Sequence, residues 1–207
     1  MTESECSSAR ENRGGLDEMV ARLRERAARG ERTLAAIDGR CAAGKSTLAA
    51  ALQAETGCNV VSMDHFFLRP EQRTAARLTE PGGNVDRERF REAVLLPLSA
   101  GEEISYRPYN CHRQELDAPI RLKPGPLAVV EGAYSCHPAL WDFYDLRVFL
   151  TVSPDEQLRR LRSRNGPDGA AAFQNRWIPL EEKYFAAFHI RERCRFCFET
   201  DRIEGAG

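Results

Sequence analysis

The run Gly39-Arg40-Cys41-Ala42-Ala43-Gly44-Lys45-Ser46-Thr47 combines residue types that together can bind phosphate. Gly39 and Gly44 let the backbone curl so that successive N–H groups turn inward. Lys45 can bridge the β and γ phosphates of a nucleotide, and the Ser46 hydroxyl can ligate Mg²⁺. The spacing is G-x-x-x-x-G-K-S residue for residue. It follows the apolar run Thr33 to Ile37 and opens a helical run over 45–56 that Gly57 closes. A strand before and a helix after is the setting such a loop needs, because the helix N-terminus adds partial positive charge.

Two carboxylates fall where they could work with this loop. Asp64 directly follows the apolar run Asn59 to Met63, and Glu131 directly follows Leu127 to Val130. In a parallel α/β sheet the site lies beyond the carboxyl ends of the strands, so both are expected on one rim with the loop. Glu131 is expected to hold Mg²⁺ together with Ser46, and Asp64 is a further candidate ligand. Asp64 is also placed to accept a proton from an incoming hydroxyl, with Lys45 neutralising charge on the transferring phosphoryl group. The competing roles are a loop cap for Asp64 and a strand-end ion pair for Glu131. Asp38, just before the loop, reads as structural.

The segment Gln157 to Arg164 (QLRRLRSR) puts Arg160 and Arg164 four residues apart, on one helical face. It runs into the breaker Asn165-Gly166-Pro167-Asp168-Gly169. A charged helix end beside a hinge is expected to act as a lid whose guanidinium forks close over phosphate oxygens. A solvated face is the plainer alternative. Arg176, further along, is a candidate to reach the same site.

These residues need a scaffold, and the pattern supplies one. Residues 16–29 have helical spacing ended by Gly30, behind a loose, polar leader over 1–14. Strands are expected at Thr33 to Ile37, Asn59 to Met63, Leu127 to Val130, Leu146 to Val152 and Phe196 to Glu199. Helices are expected over 45–56, Asp86 to Leu98, Pro154 to Arg164 and Ala171 to Arg193, the last bent at Pro179. Residues 66–84 show no period and read as a long functional loop. Ile104 to Tyr109 and Pro119 to Leu122 form a small hairpin. Strands alternating with helices give an α/β fold: a mainly parallel sheet with helices on both faces, as one domain over 15–207.

Composition narrows the partners. The chain has 207 residues, 42% of them hydrophobic and 29% charged, which excludes a disordered polymer. Net charge is −1, which argues against a nucleic-acid polymer as partner. No apolar run approaches the roughly 18 residues of a membrane span, and the leader lacks the apolar core of a signal peptide, so a cytoplasmic protein is expected. The seven cysteines then read as reduced thiols, and the Cys194/Cys197 pair as structural. Only Lys45, Lys123 and Lys183 are lysine in an otherwise arginine-based set of cations.

The residues IDGRCAAGKST (37–47), MDHFF (63–67), YRPYNCH (106–112), VVEGAYS (129–135) and RRLRSRNG (159–166) resemble the uridine kinase and phosphoribulokinase family of P-loop kinases, over roughly residues 32–200. The segments 67–86 and 173–185 look like its bacterial uridine kinase-like branch. The resemblance implies a P-loop sandwich in three layers, with a hairpin insertion on the acceptor side and an Arg-rich lid. It implies ATP and Mg²⁺, Asp64 as catalytic base in a D-x-F-[FY] setting, and Glu131-Gly132 as the E-G pair after a core strand. A Tyr followed by a His contacts the nucleoside in such kinases. Tyr106 or Tyr109 could be that Tyr, with His112 as the His. Phe66, Tyr109, His112 and Arg176 are candidate acceptor-binding residues; core packing is the competing role for Tyr109 and His112 and the favoured one for Phe66. The favoured acceptor is uridine or cytidine. The alternatives are a sugar acid or vitamin precursor as acceptor, or a nucleotide-dependent regulatory ATPase. A homo-oligomer is compatible with all of these.

Overall fold

Alternation along the strands decides the layers. In β1 (Thr33–Gly39), Leu34 and Ala36 enter one hydrophobic cluster while Ala35 and Ile37 enter another. The same division runs through β7 (Leu127–Glu131), with Ala128 and Val130 on one face and Leu127 and Val129 on the other. Successive side chains of a strand point to opposite faces, so a strand apolar at every position must be covered on both. In the computed structural model, which describes residues 3–201 and their side chains from residue 15 onward, both faces are covered.

Five strands form the sheet in the order β2-β7-β1-β8-β9, with β2 at Asn59–Ser62, β8 at Leu146–Thr151 and β9 at Phe196–Glu199. Every pairing within it is parallel. One face carries α1 (Glu3–Ala28) through Met19 and Leu23, and α2 (Lys45–Thr56) through Ala49 and Leu52. The other face is covered by Phe90 of α4 (Arg87–Phe90), Tyr184 and Phe185 of α7 (Ile178–Phe188), and Ile190 of α8 (Ile190–Arg193). Asp86 caps α4 by accepting from the Arg89 N–H at 3.0 Å. A wider turn at Arg91–Leu95 continues α4 into α5 (Leu96–Ala100).

The helix expected over 16–29 begins earlier. Its backbone is helical from Glu3, so the leader expected over 1–14 is helical from that residue on. The expected insertion is a nested pair of antiparallel ladders: β3 (Ile104–Tyr106) pairs with β6 (Ile120–Leu122), and β4 (Tyr109–Asn110) with β5 (Glu115–Leu116). The long loop after β2 is strapped down. It holds the short helix α3 (Ala75–Thr79), and the Arg77 guanidinium donates to the carbonyls of Gly83 (3.0 Å) and Val85 (2.9 Å). The breaker in α6 (Pro154–Ala172) shows as a kink at Gly166, φ 71° and ψ 177°, directly before Pro167. A wide turn at Phe173–Trp177 then leads into α7.

Candidate active site

Strand β1 delivers the chain to the loop at Gly39, where φ is 133° and a Cβ would collide with the backbone of Leu150. Only glycine fits there. Ala42 holds φ 60°, a left-handed conformation that costs a residue with a Cβ about 1–2 kcal/mol. Gly44, at φ 85°, turns the chain into α2. The N-terminus of α2 has no side-chain cap and no acidic residue in its first turn. Its free N–H groups and positive dipole end are left for an anion. Lys45 Nζ donates to the carbonyls of Gly39 and Arg40, both at 2.8 Å, and so lies folded along the loop.

Ser46 Oγ donates to Glu131 Oε2 at 3.0 Å, which joins the loop to the end of β7. Gly132 follows at φ 132°. A Cβ there would sit 2.9 Å from Met63 Cβ and 3.6 Å from Asp64 Oδ1, so its absence lets the end of β2 close in on the end of β7. Asp64 is open to solvent at this junction. The protein around it limits hydration and raises its carboxyl above the ordinary range; Lys45 opposes the rise, Glu131 adds to it, and His65 and Arg164 oppose it. Asp64, Lys45, Glu131 and Arg164 thus share one electrostatic neighbourhood.

Asp38 has the expected structural role. Fully buried, it accepts from the N–H groups of Gly39 (2.6 Å), Tyr134 (3.2 Å) and Cys136 (2.8 Å) and from the Tyr184 hydroxyl (2.8 Å). Burial pushes its carboxyl up; the hydrogen bonds from Cys136, Gly39 and Tyr184 and the charge of Lys45 pull it part of the way back.

The two lid arginines separate. Arg164 is exposed, with its guanidinium 5.5 Å from the Phe173 ring centroid and within electrostatic reach of Asp64. Arg160 is not free to move as a lid residue. It is 8% exposed and donates to the carbonyls of Ala42 (3.1 Å) and Thr200 (2.6 Å), while pairing with Glu156 at 2.7 Å. One helical turn separates the two, about 6 Å along the axis, which puts Arg160 under the loop and Arg164 at its rim.

The acceptor-side candidates also divide. Phe66 is a correction: it is 0% exposed, packs edge-on against Phe90 at 4.9 Å and carries the Arg89 guanidinium 4.2 Å above its ring, so it is core. Tyr109 is 4% exposed, on a strand that packs beside the Met63–Phe66 turn, and its hydroxyl has no hydrogen-bond partner. His112 is exposed in the turn after it, where Asn110 Oδ1 accepts from its backbone N–H. The neighbouring Cys111 is the member of that turn that feels the charge of Asp64, and also that of Arg73. Tyr106 is engaged with His65, Nδ1 to hydroxyl 3.1 Å. Arg176 is exposed and lies over Trp177 at 4.6 Å, and Trp177 in turn faces Phe67 at 6.2 Å.

Sequence reasoning missed Glu181, Gln157 and Arg73. The first two grip the loop from α7 and α6; the third is an exposed cation with no ion pair among the described residues. Glu181 stood in a charged helical run with nothing to mark it out.

With a parallel sheet, a glycine-bounded loop at the end of β1 and a lysine opening α2, the architecture is decided. The fold is that of the P-loop kinases. A possible uridine kinase from Bacillus stearothermophilus superposes with a TM-score of 0.67 at 20% identity, covering 91% of this chain and 99% of that one. The D-glycerate 3-kinase of Cryptococcus neoformans gives 0.59 at 14% identity, over 81% and 87% of the two chains. No family model matches the chain, and no curated protein matches its sequence. Among the described residues no helix is long and apolar enough to cross a membrane.

Proposed function

We propose that this chain is a Mg²⁺- and ATP-dependent kinase that moves the γ-phosphoryl group to a hydroxyl of a small molecule. The observation that carries the reading is the convergence of Asp64, after β2, with Lys45 at the start of α2, Glu131 at the end of β7 and Arg164 of α6. A parallel sheet brings strand ends together by construction; it does not dictate that they carry a base, a phosphate-binding cation and a second carboxylate.

The residues suit the groups they would hold. The uncapped first turn of α2, which opens at Lys45, offers its free N–H groups and its dipole to a triphosphate. Ser46 and Glu131 present oxygen donors to Mg²⁺, a hard cation commonly held by one or two carboxylates plus substrate phosphates. Among the described residues no group of three or more His, Cys, Asp or Glu is placed to hold a metal ion by itself. When bound, Mg²⁺ neutralises charge between the β and γ phosphates.

Asp64 accepts the proton of the acceptor hydroxyl as that oxygen attacks the γ-phosphorus. Lys45 leaves its loop carbonyls for phosphate oxygens, and Arg164 closes over the transferring group. The unpartnered hydroxyl of Tyr109 is a polar group with a desolvation cost of about 1–3 kcal/mol, which a hydrogen bond to the acceptor would relieve. The resemblance favours a ribonucleoside hydroxyl, uridine or cytidine, as acceptor.

A small hydroxy acid is the second reading. It is favoured by Arg73, whose guanidinium donates to the Leu68 carbonyl at 3.0 Å, has no carboxylate partner among the described residues, and acts electrostatically on Cys111, as Asp64 does. Incubation with Mg-ATP and a panel of nucleosides, hydroxy acids and sugars, read by product mass, tests both. Phosphorylation of uridine or cytidine supports the first, and of a hydroxy acid alone the second. ATP hydrolysis unchanged across the panel overturns the kinase reading in favour of a regulatory ATPase.

A further inference from the structure

The phosphate cradle is held from outside by side chains that its sequence pattern does not contain. Gln157 Nε2 donates to the Cys41 carbonyl at 3.0 Å. Arg160 Nη1 donates to the Ala42 carbonyl at 3.1 Å. Arg40 pairs with Glu182 at 2.7 Å. The fourth hold differs in kind, because Glu181 Oε2 accepts the Cys41 N–H at 2.9 Å. This residue is 6% exposed, and it lies within electrostatic reach of Lys45 and Asp38.

A buried carboxylate beside an anion site works against that site's affinity through its charge. What it supplies is direction. Its oxygen fixes the plane of the peptide that enters Cys41, and Gln157 and Arg160 fix the two carbonyls that follow. Between them Ala42 is kept at φ 60° although it has a Cβ. Such a conformation persists where its surroundings over-determine it, and here three side chains do so.

We propose that Glu181 is a positioning residue for nucleotide binding: its acceptor oxygen orients the Cys41 peptide and so holds the loop in the shape that receives the triphosphate. The proposal rests on the kinase reading above. Its content is the oxygen, not the charge, and two substitutions separate these. Glu181→Gln keeps an acceptor oxygen and removes the charge. Glu181→Met keeps the volume and flexibility and removes the acceptor.

The test is calorimetric titration of the purified full chain with Mg-ATP. Glu181→Met is expected to bind at least tenfold more weakly than the parent at temperatures well below its melting point. Glu181→Gln is expected to bind within threefold of the parent, or more tightly. Glu181→Met binding within twofold of the parent overturns the proposal, as does Glu181→Gln binding as weakly as Glu181→Met. Amide hydrogen exchange of the unsubstituted chain gives an answer even if Glu181→Met does not fold. Exchange at Cys41 at least tenfold slower than in an unprotected peptide supports the proposal, and unprotected exchange overturns it. Failure of the unsubstituted chain to bind Mg-ATP would sink the kinase reading instead, and the exchange result would still decide whether Glu181 holds the peptide.

Discussion

On the proposed reading, one short stretch, residues 39–47, would receive the nucleotide, while the acceptor would meet segments far apart in the chain. The first is a backbone device. Positive φ at Gly39, Ala42 and Gly44 and a free helix end shape it, and Lys45 and Ser46 are the polar side chains it presents. The second is a side-chain device. Asp64 would come from the end of β2, Tyr109 from the insertion, and Arg164 from α6. A cradle for phosphate can be the same in many enzymes, because phosphate is the same in all of them. An acceptor pocket must differ with each acceptor, and loops and insertions are where such variation is tolerated.

Substitutions on the two sides should therefore fail differently. Asp64→Asn should keep Mg-ATP affinity within about twofold and lose about 10²–10⁴-fold in turnover, since it removes the base and leaves the cradle. Rapid-quench measurement of product alongside calorimetry checks this, and near-normal transfer would break the division between the two sides. Lys45→Ala should cost about 10²–10³-fold in turnover, as loss of a donor to developing charge does, and should also weaken nucleotide binding. Phe66→Ala should leave chemistry per folded molecule intact but lower stability by about 3–5 kcal/mol, read by denaturant unfolding, because the ring is core.

Arg164→Ala should lower turnover about tenfold with nucleotide affinity little changed, as expected of a cation that reaches the transferring group from an exposed helix end. Arg160→Ala should do the reverse, weakening nucleotide affinity through Ala42. Measured together, the two variants sharpen the comparison, because both residues lie on α6.

The smallest effect concerns pH. His137 is buried against Tyr184 and Phe188, which pushes its pKa down from 6.5 to about 4. A depressed histidine favours the neutral form in the folded state, so stability should fall as pH drops from 6.5 towards 4. Unfolding midpoints of the parent and of His137→Gln across that window test this; the variant should lose part of the slope. With Asp64 as the proposed base, its raised carboxyl should place the acid limb of turnover above the ordinary carboxylate range, because a base works only when deprotonated; a pH profile of turnover checks this.

The same contrast explains how much could be read in advance. The cradle, the five sheet strands and the strand-end carboxylates were legible because each depends on local order: a loop of fixed spacing, an apolar run, the residue after it. The separation of Arg160 from Arg164 was not, because face-sharing on a helix says nothing about depth along its axis, and the partners at Ala42 and Thr200 are distant in sequence. Phe66 stood between a pocket role and core packing because its place near Asp64 allows both, and the turn at Met63–Phe66 puts it inward onto Phe90. Glu181 carries no local signal; its meaning comes from a tertiary contact to Cys41.

The bond from Arg160 to Thr200 has a bearing on biosynthesis. The same guanidinium touches Ala42 near the front of the chain and the residue just beyond β9 near its back. Ribosomes deliver those two places far apart in time, and domains tend to fold as units. A nascent chain halted before β9 would carry the full glycine-lysine signature yet lack the last of its braces. Competence to grip a nucleotide should therefore arise late, when the closing strand docks.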